Sequence, residues 1–339
     1  MKRKKVVYWI DELCKEDNEI VGKKCANLGE LASIGVRVPR GFAVSVHGWE
    51  RFVELTGIAG EMRRLFEKEG GDLHVPSKGQ RLSNAMRALI ESQQVPAEIS
   101  DVVLGSYERL CEEASMHDMP VAVRSAGAVS MPGAMESYLN VSGQADVVTK
   151  LLRVWSSAYT YRAVVYRHDH NLAVDYAPIG VAVLQLVDAK AAGVLMTANP
   201  TSGNTAEAVI ESNWGLGESV VSGVTNPDRF NVSKDDLIIT SKVVNTKAKQ
   251  VVPSAGGAAC VDVPAELRDA PSLTDEEVRL LAREAMRIER HFGEPTDIEW
   301  AYASGQSPEQ SLYFLQARPM KPLPKYKDAI DRVLDMMLN

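Results

Sequence analysis

No stretch of this chain approaches the ~18 consecutive apolar residues that a membrane-spanning helix needs, so no span is expected. Cysteine is scarce: Cys14, Cys25, Cys111 and Cys260 are all that 339 residues hold. They lie far apart with no C-x-x-C spacing, which argues against both a disulfide framework and a zinc site and for reduced thiols. Excess positive charge is missing too. A formal net charge of -7 speaks against a general nucleic-acid binder while leaving room for a local basic pocket. The basic start Met1-Lys2-Arg3-Lys4-Lys5 is followed by an apolar run, Val6 to Ile10, that Asp11 cuts short, so secretion is not expected. There is no internal repeat, no low-complexity segment and no GxxxxGK[ST] phosphate loop. The six histidines form no Ser-His-Asp or Cys-His set. The expectation is a soluble cytoplasmic protein that contacts neither membrane nor nucleic acid.

What is present is ordinary globular composition, 45% hydrophobic and 24% charged, on a chain long enough for two domains. Residues 1–120 read as mixed and mainly helical, with helical apolar patterns from Ala26 to Ile34 and over 98–116, the latter with a stripe of Ile99, Val102, Val103, Tyr107, Leu110 and Cys111. Pro120 opens a strand, Val121 to Arg124. One long helix is expected over 146–168, with Trp155, Tyr159 and Tyr166 on its core side. Strands follow at Val181–Val187, Gly193–Thr197, Ala208–Ser212, Phe230–Val232 and Leu237–Thr240. Thr274 and Glu277 make a capping box for a helix whose buried face is Val278, Leu281, Ala282, Ala285 and Ile288, stopping near Gly293. Residues 1–190 and 191–320 are read as two lobes. Residues 321–339 are read as a proline-stiffened linker and an amphipathic helix suited to docking on its own domain or a partner.

Four stretches carry chemistry. The alternating runs Asp297-Ile298-Glu299-Trp300 and Leu312 to Pro319 predict two half-buried strands. Paired, they put Glu299, Gln316 and Arg318 on one face, a set suited to a magnesium-bound polyphosphate, although these residues alone favour a hairpin with a surface salt bridge. Gly22-Lys23-Lys24 before a helix resembles a phosphate site, although exposed lysines are usually only solvated. Arg124 leaves a strand into a loop of small residues, where Gly127, Ser130, Gly133 and Ser137 leave room and N–H groups for phosphates; a structural ion pair reads equally well. Gly215-Leu216-Gly217-Glu218 is either a tight turn or a place where Glu218 meets metal or ribose. His168-Asp169-His170 lacks a third ligand in sequence and reads as a solvated helix end.

Taken in order, these segments resemble the N-terminal nucleotide-binding domain of the phosphoenolpyruvate synthase / pyruvate phosphate dikinase family. The resemblance rests on Lys24 to Glu30, Val36 to Ala43, Ala122 to Ser125, Ala192 to Pro200, Gly215 to Gly223, and Ile298-Glu299-Trp300 with Gln316 to Pro319, six pieces in register. It implies an α+β, ATP-grasp-like fold of two lobes with ATP in the cleft between them. It further implies that Lys24 and Arg124 grip the polyphosphate, that the loop around Gly133 and Ser137 covers it, and that Gln185 sits at the adenine. Glu299 and Gln316 would hold Mg2+, Glu218 would lie near the nucleotide, and Arg318 would stabilise the transferring group. Lysine, two arginines and a magnesium pair meet the needs of phosphoryl transfer, which is mostly positioning and charge neutralisation.

Two departures stand out. Ser130-Met131-Pro132-Gly133 looks like the dikinase version, whereas Gly193 to Gly223 looks like the synthase version. The usual Gly-Gly-Lys is here Gly22-Lys23-Lys24, which leaves the gripping lysine open between Lys23 and Lys24. Relatives of this kind cleave ATP to AMP and pass phosphate through a histidine on a swivelling domain to an acceptor on a third. None of His47, His74, His117, His168, His170 or His291 stands in a Thr-Ser-His-type context. The expectation is therefore the ATP-handling part of a split enzyme, with a phosphohistidine-bearing partner subunit that also binds a small-molecule acceptor. In this split form it is similar to the ATP-binding subunit of phenylphosphate synthase, which makes phenol the expected acceptor. The alternatives are a stand-alone phosphoenolpyruvate synthase-like module serving pyruvate or another small acceptor, and a non-catalytic nucleotide-sensing subunit.

Overall fold

A computed structural model describes residues 4–129, 131 and 133–320; the tail expectation at 321–339 lies outside them. The chain divides into two compact units. The first holds the described residues up to Ile34, then Pro39–Leu186 and Ser254–Gly257; the second holds Gly35–Val38, Val187–Pro253 and the described residues from Ala258 on.

Unit 1 contains five antiparallel strands, β1 (Val7–Trp9), β2 (Gly41–Val44), β3 (Val121–Ala126), β4 (Ser137–Val141) and β5 (Gly180–Gln185), in the order β1-β2-β5-β3-β4. Side chains alternate across the sheet. Val7, Phe42, Val44, Val121, Val123, Val181 and Val183 belong to one buried core with the helical residues Trp49, Phe52, Ile99, Tyr107, Leu151 and Trp155. Directly paired Tyr8, Ala43, Ala182, Arg124 and Ser137 share the opposite face. The core is centred on aromatics: Phe52 and Trp155 lie 5.0 Å apart and Trp49 and Trp155 5.7 Å, the latter edge to face. Such pairs contribute ~0.5–1.5 kcal/mol beyond their buried area.

The single helix expected over 146–168 is two, Gln144–Ser157 and Tyr161–Asp169. Thr160 is the reason: its hydroxyl accepts from the Ala163 N–H and starts a new helix. Trp155 and Tyr159 are buried as expected. In the Ala97–Glu113 helix, Ile99, Val103, Tyr107 and Leu110 are buried, but Val102 is 45% exposed and leaves the expected stripe.

Unit 2 is built on a six-stranded antiparallel sheet. Its strands are β6 (Ala189–Met196), β7 (Glu207–Trp214), β8 (Asp228–Ser233) and β9 (Ile239–Val243), then, after the hairpin β10 (Lys249–Ser254) and β11 (Gly257–Asp262), β12 (Thr296–Ala303) and β13 (Leu312–Pro319). The order is β13-β12-β6-β7-β8-β9. The expected strand from Leu237 starts later, because Leu237 adopts φ 58 in a left-handed turn. One sheet face, with Leu195, Ile210, Phe230, Ile298, Trp300 and Ala317, is buried. The Asp275–Phe292 helix packs against β8, β9 and β12. Both halves of its capping box form, and Gly293 ends it in the left-handed region at φ 77. All five residues expected on its inner face are buried. Lys190 pairs with Glu277, and the Tyr302 hydroxyl donates to the Glu277 carbonyl at 2.8 Å, so the capping residue also ties the helix to the sheet.

Candidate functional site

In unit 1 a close backbone approach positions the candidate phosphate grip. Gly22 is the N-cap of the Lys23–Ser33 helix at φ 82, and a Cβ there would stand 1.9 Å from the Ala126 carbonyl oxygen. The Lys23 N–H donates to the Gly127 carbonyl at 3.1 Å. The helix start is thereby pinned to the end of β3, two residues beyond Arg124, a rise of ~7 Å along the strand. Helical N–H groups and a lysine at that place favour an anion. Lys23 is exposed and Lys24 half-buried. Next to it, burial pushes the Cys25 thiol up to about 12, with the nearby Lys24 charge pulling the other way. Cys25 is therefore a packed, protonated thiol. Gly22→Ala is expected to destabilise this unit by ~2–4 kcal/mol, through both the backbone strain and the clash. Melting should show a fall of roughly 5–15 °C; an unchanged Tm would mean that the approach to Ala126 is not as described.

Arg124 is directly paired with Ser137 across β3 and β4. Ser137 therefore stands on a strand and shares the arginine's face. Between them the turn is anchored at both sides. Met131 and Ala134 pack on Ala163, the Thr160 hydroxyl donates to the Ala134 carbonyl, and Arg87 holds Glu136 at 2.8 Å. Gly133, at φ 67 with nothing near its Cβ position, is exposed between these anchors. Gln185 is placed differently from the rest. It pairs with Val121 at the end of β5, and alternation turns it to the face opposite Arg124.

In unit 2 the expected hairpin forms. Glu299 lies directly across from Gln316, and Asp297 across from Arg318, with a bulge after Glu299. All four share one face, since they sit two residues apart on each strand. Opposed side chains have Cβ atoms ~4.5–5.5 Å apart, close enough for a carboxylate and an amide oxygen to converge on one hard cation. The residues present therefore fit magnesium. Arg318 donates from Nε to Asp297 at 2.9 Å and lies 2.8 Å from it through Nη2. That grip uses two of the five guanidinium donors and fixes the plane of the rest. Asp297 was missed in sequence as a partner of Arg318, although the same alternation that linked Glu299 and Gln316 carried it.

Pairing extends this face. Glu299 is opposite Val194 on β6, and Val194 opposite Glu211 on β7, so Glu211 adds a carboxylate two strands away, ~9.5 Å across the sheet. The Gly215–Gly217 turn lies over the same face: a Cβ on Gly217 would be 3.5 Å from that of Ala192, which shares the Glu299 side of β6. The Asn213 amide donates to Ser219 at 2.9 Å and to the Lys249 carbonyl at 2.9 Å, holding the turn down. Glu218 begins the short helix after it and is exposed. Gly215 itself has a backbone reason, φ 73 with the Val251 carbonyl 2.3 Å from its Cβ position.

In unit 1, a helix N-terminus set beside an arginine strand suits a polyphosphate; in unit 2, a sheet face carrying carboxylates, an amide and a fixed guanidinium suits a hard cation and a phosphate. Residues 18–336 match the family described as pyruvate phosphate dikinase, AMP/ATP-binding domain, and the chain belongs to that family. It is 36% identical over 330 residues to a probable phosphoenolpyruvate synthase of Methanocaldococcus jannaschii, covering 95% of this chain and 27% of that protein. The phosphoenolpyruvate synthase of Aeropyrum pernix is 35% identical, covering 93% and 42%, and a probable one of Methanothermobacter thermautotrophicus 35%, covering 95% and 47%. The chain thus spans between a quarter and half of the length of these relatives. Among solved structures, an ADP complex of N5-carboxyaminoimidazole ribonucleotide synthetase aligns over 71% of this chain and 57% of that one at 9% identity, with a TM-score of 0.26, too slight a likeness to argue from. Family membership supports ATP as the ligand. Among the described residues, no helix is long and apolar enough to cross a membrane.

Proposed function

We propose that this chain is the ATP-binding subunit of a split dikinase-type phosphotransferase of ATP-grasp-like fold. In this reading ATP is cleaved to AMP, and a (pyro)phosphoryl group passes to a histidine on a partner subunit. The observation that carries it is the Asp297–Arg318 and Glu299–Gln316 double pair on one sheet face, in a chain that matches the ATP-binding family over residues 18–336. Lys24 and Arg124 grip the polyphosphate, with the Gly133 turn and Ser137 against it. Gln185 lies at the adenine edge, on the far face of its sheet from Arg124, and Glu218 contributes from its turn to the nucleotide. Glu299 and Gln316 hold magnesium, which when bound neutralises phosphate charge. Arg318, oriented by Asp297, meets charge that develops on the transferring group, where such preorganised donors contribute most.

The split resemblance makes phenol the proposed final acceptor. A second reading has pyruvate or another small acceptor, and the phosphoenolpyruvate synthases among its relatives favour it. A nucleotide sensor without catalysis is disfavoured by the presence of Lys24, Arg124, Glu299, Gln316 and Arg318 together. The test is incubation with magnesium, ATP labelled at the β-phosphate and extract of the native cell. Acid-labile label on a second protein, together with AMP, is the expected result. ADP without a labelled protein would replace this reading by an ordinary kinase or ATPase. Adding phenol or pyruvate to the labelled partner then discriminates the acceptors by which one removes the label.

A further inference from the structure

The fold supplies what the His168-Asp169-His170 stretch lacked in sequence, a third ligand from elsewhere. His74 precedes the Pro76–Glu91 helix, and its Nε2 lies 3.0 Å from an Asp169 carboxylate oxygen. His168 brings Nδ1 to 3.3 Å from the same oxygen. Ligand atoms of His74, His168 and Asp169 all lie within 4.8 Å of one another, the one such group among the described residues. His170 is turned to another task, with its ring stacked on Tyr166 at 3.9 Å and Nδ1 at 2.7 Å from the Tyr166 carbonyl. The sequence triplet is thus replaced by a different set of three.

We propose that His74, His168 and Asp169 form a surface site for a zinc-class divalent ion, separate from the nucleotide residues. Two imidazole nitrogens and one carboxylate oxygen suit zinc and its borderline neighbours and not magnesium, which prefers oxygen alone. A tetrahedral ion bound at about 2.0–2.1 Å sets its ligand atoms ~3.4 Å apart. Two of the three pairs already stand at 3.0 and 3.3 Å, and a side-chain rotation closes the third. A water would fill the fourth position. The backbone is prepared for this. Leu73 is fully buried beside His74, and at Gly79 the next helix approaches the Tyr161 ring so closely that a Cβ would be 2.3 Å from it. The ion would join the segment before the Pro76–Glu91 helix to the end of the Tyr161–Asp169 helix, and all three ligands are exposed enough to be reached from solvent.

The experiment is calorimetric titration of chelator-treated full-length protein with zinc chloride in excess magnesium, repeated on His74→Ala and His168→Ala. Cobalt absorption serves as a coordination readout. The expected result is one zinc equivalent per chain in the micromolar range, tetrahedral cobalt bands and a zinc-dependent rise in Tm, with affinity at least tenfold weaker in either variant. Equal zinc affinity in the variants, or displacement by magnesium, would overturn the assignment. Since all three side chains are on the surface, unchanged circular dichroism is expected for both variants, so that a lost site is read apart from a lost fold. The readout is metal binding and does not depend on phosphoryl transfer.

Discussion

Under the proposed function, Arg318→Ala or Glu299→Ala should abolish phosphoryl transfer to the proposed partner while leaving the unfolding curve in place. The argument is one of charge without packing. Arg318 and Asp297 are both partly exposed, so breaking their pair leaves Asp297 solvated and is expected to change stability by less than ~1 kcal/mol. Its effect on the barrier is of another size. A fixed guanidinium aimed at developing phosphoryl charge contributes ~2–4 kcal/mol, or roughly 30- to 1,000-fold in rate. Glu299 stands opposite Gln316, and its loss takes away the only charged member of that oxygen pair. Turnover of the labelled partner per ATP consumed is the measurement, with thermal melts alongside. Retention of more than about a tenth of wild-type turnover by either variant would remove that residue from the site.

Lys247→Met should produce a far larger loss of stability than any surface change in unit 2. Lys247 and Asp228 form an ion pair at 2.7 Å with neither side chain exposed. The Asp228 carboxylate also accepts from the Asn245 N–H at 3.0 Å and from the Ser272 N–H and hydroxyl, both at 2.7 Å. One residue therefore ties the start of β8 to the segment before β10 and to the segment before the Asp275–Phe292 helix. Taking away the ammonium leaves a buried carboxylate without its counter-charge, which typically costs ~3–5 kcal/mol. Denaturant unfolding should show that loss, and a loss below ~1 kcal/mol would mean water reaches Asp228. Replacing both partners by apolar residues should cost less than the single change, because no charge is then stranded.

Local chemistry was readable wherever neighbours in sequence decide the outcome. The Thr274–Glu277 box and Gly293 bound a helix because cap and stop act within one turn. Alternation in 297–300 and 312–319 implied a shared face because side chains repeat every second residue. Two local readings did not hold. Thr160 caps a second helix inside a stretch expected to be one, itself a signal within a single turn, and Val102 falls outside the buried stripe.

By itself, then, the sequence determined the helix caps, the strand alternation, the family motifs and the charged residues that carry the candidate chemistry. Tertiary structure alone decided which distant pieces meet: β12 beside β6, so that Glu211 joins the Glu299 face; the Gly22 turn against Ala126; His74 beside Asp169; and Gln185 on the side away from Arg124. The physical reason is range. Caps, turns and alternation are settled by steric and hydrogen-bonding choices within a few residues. Strand order and close backbone approach are settled by how apolar faces can be buried together, and no local pattern records that.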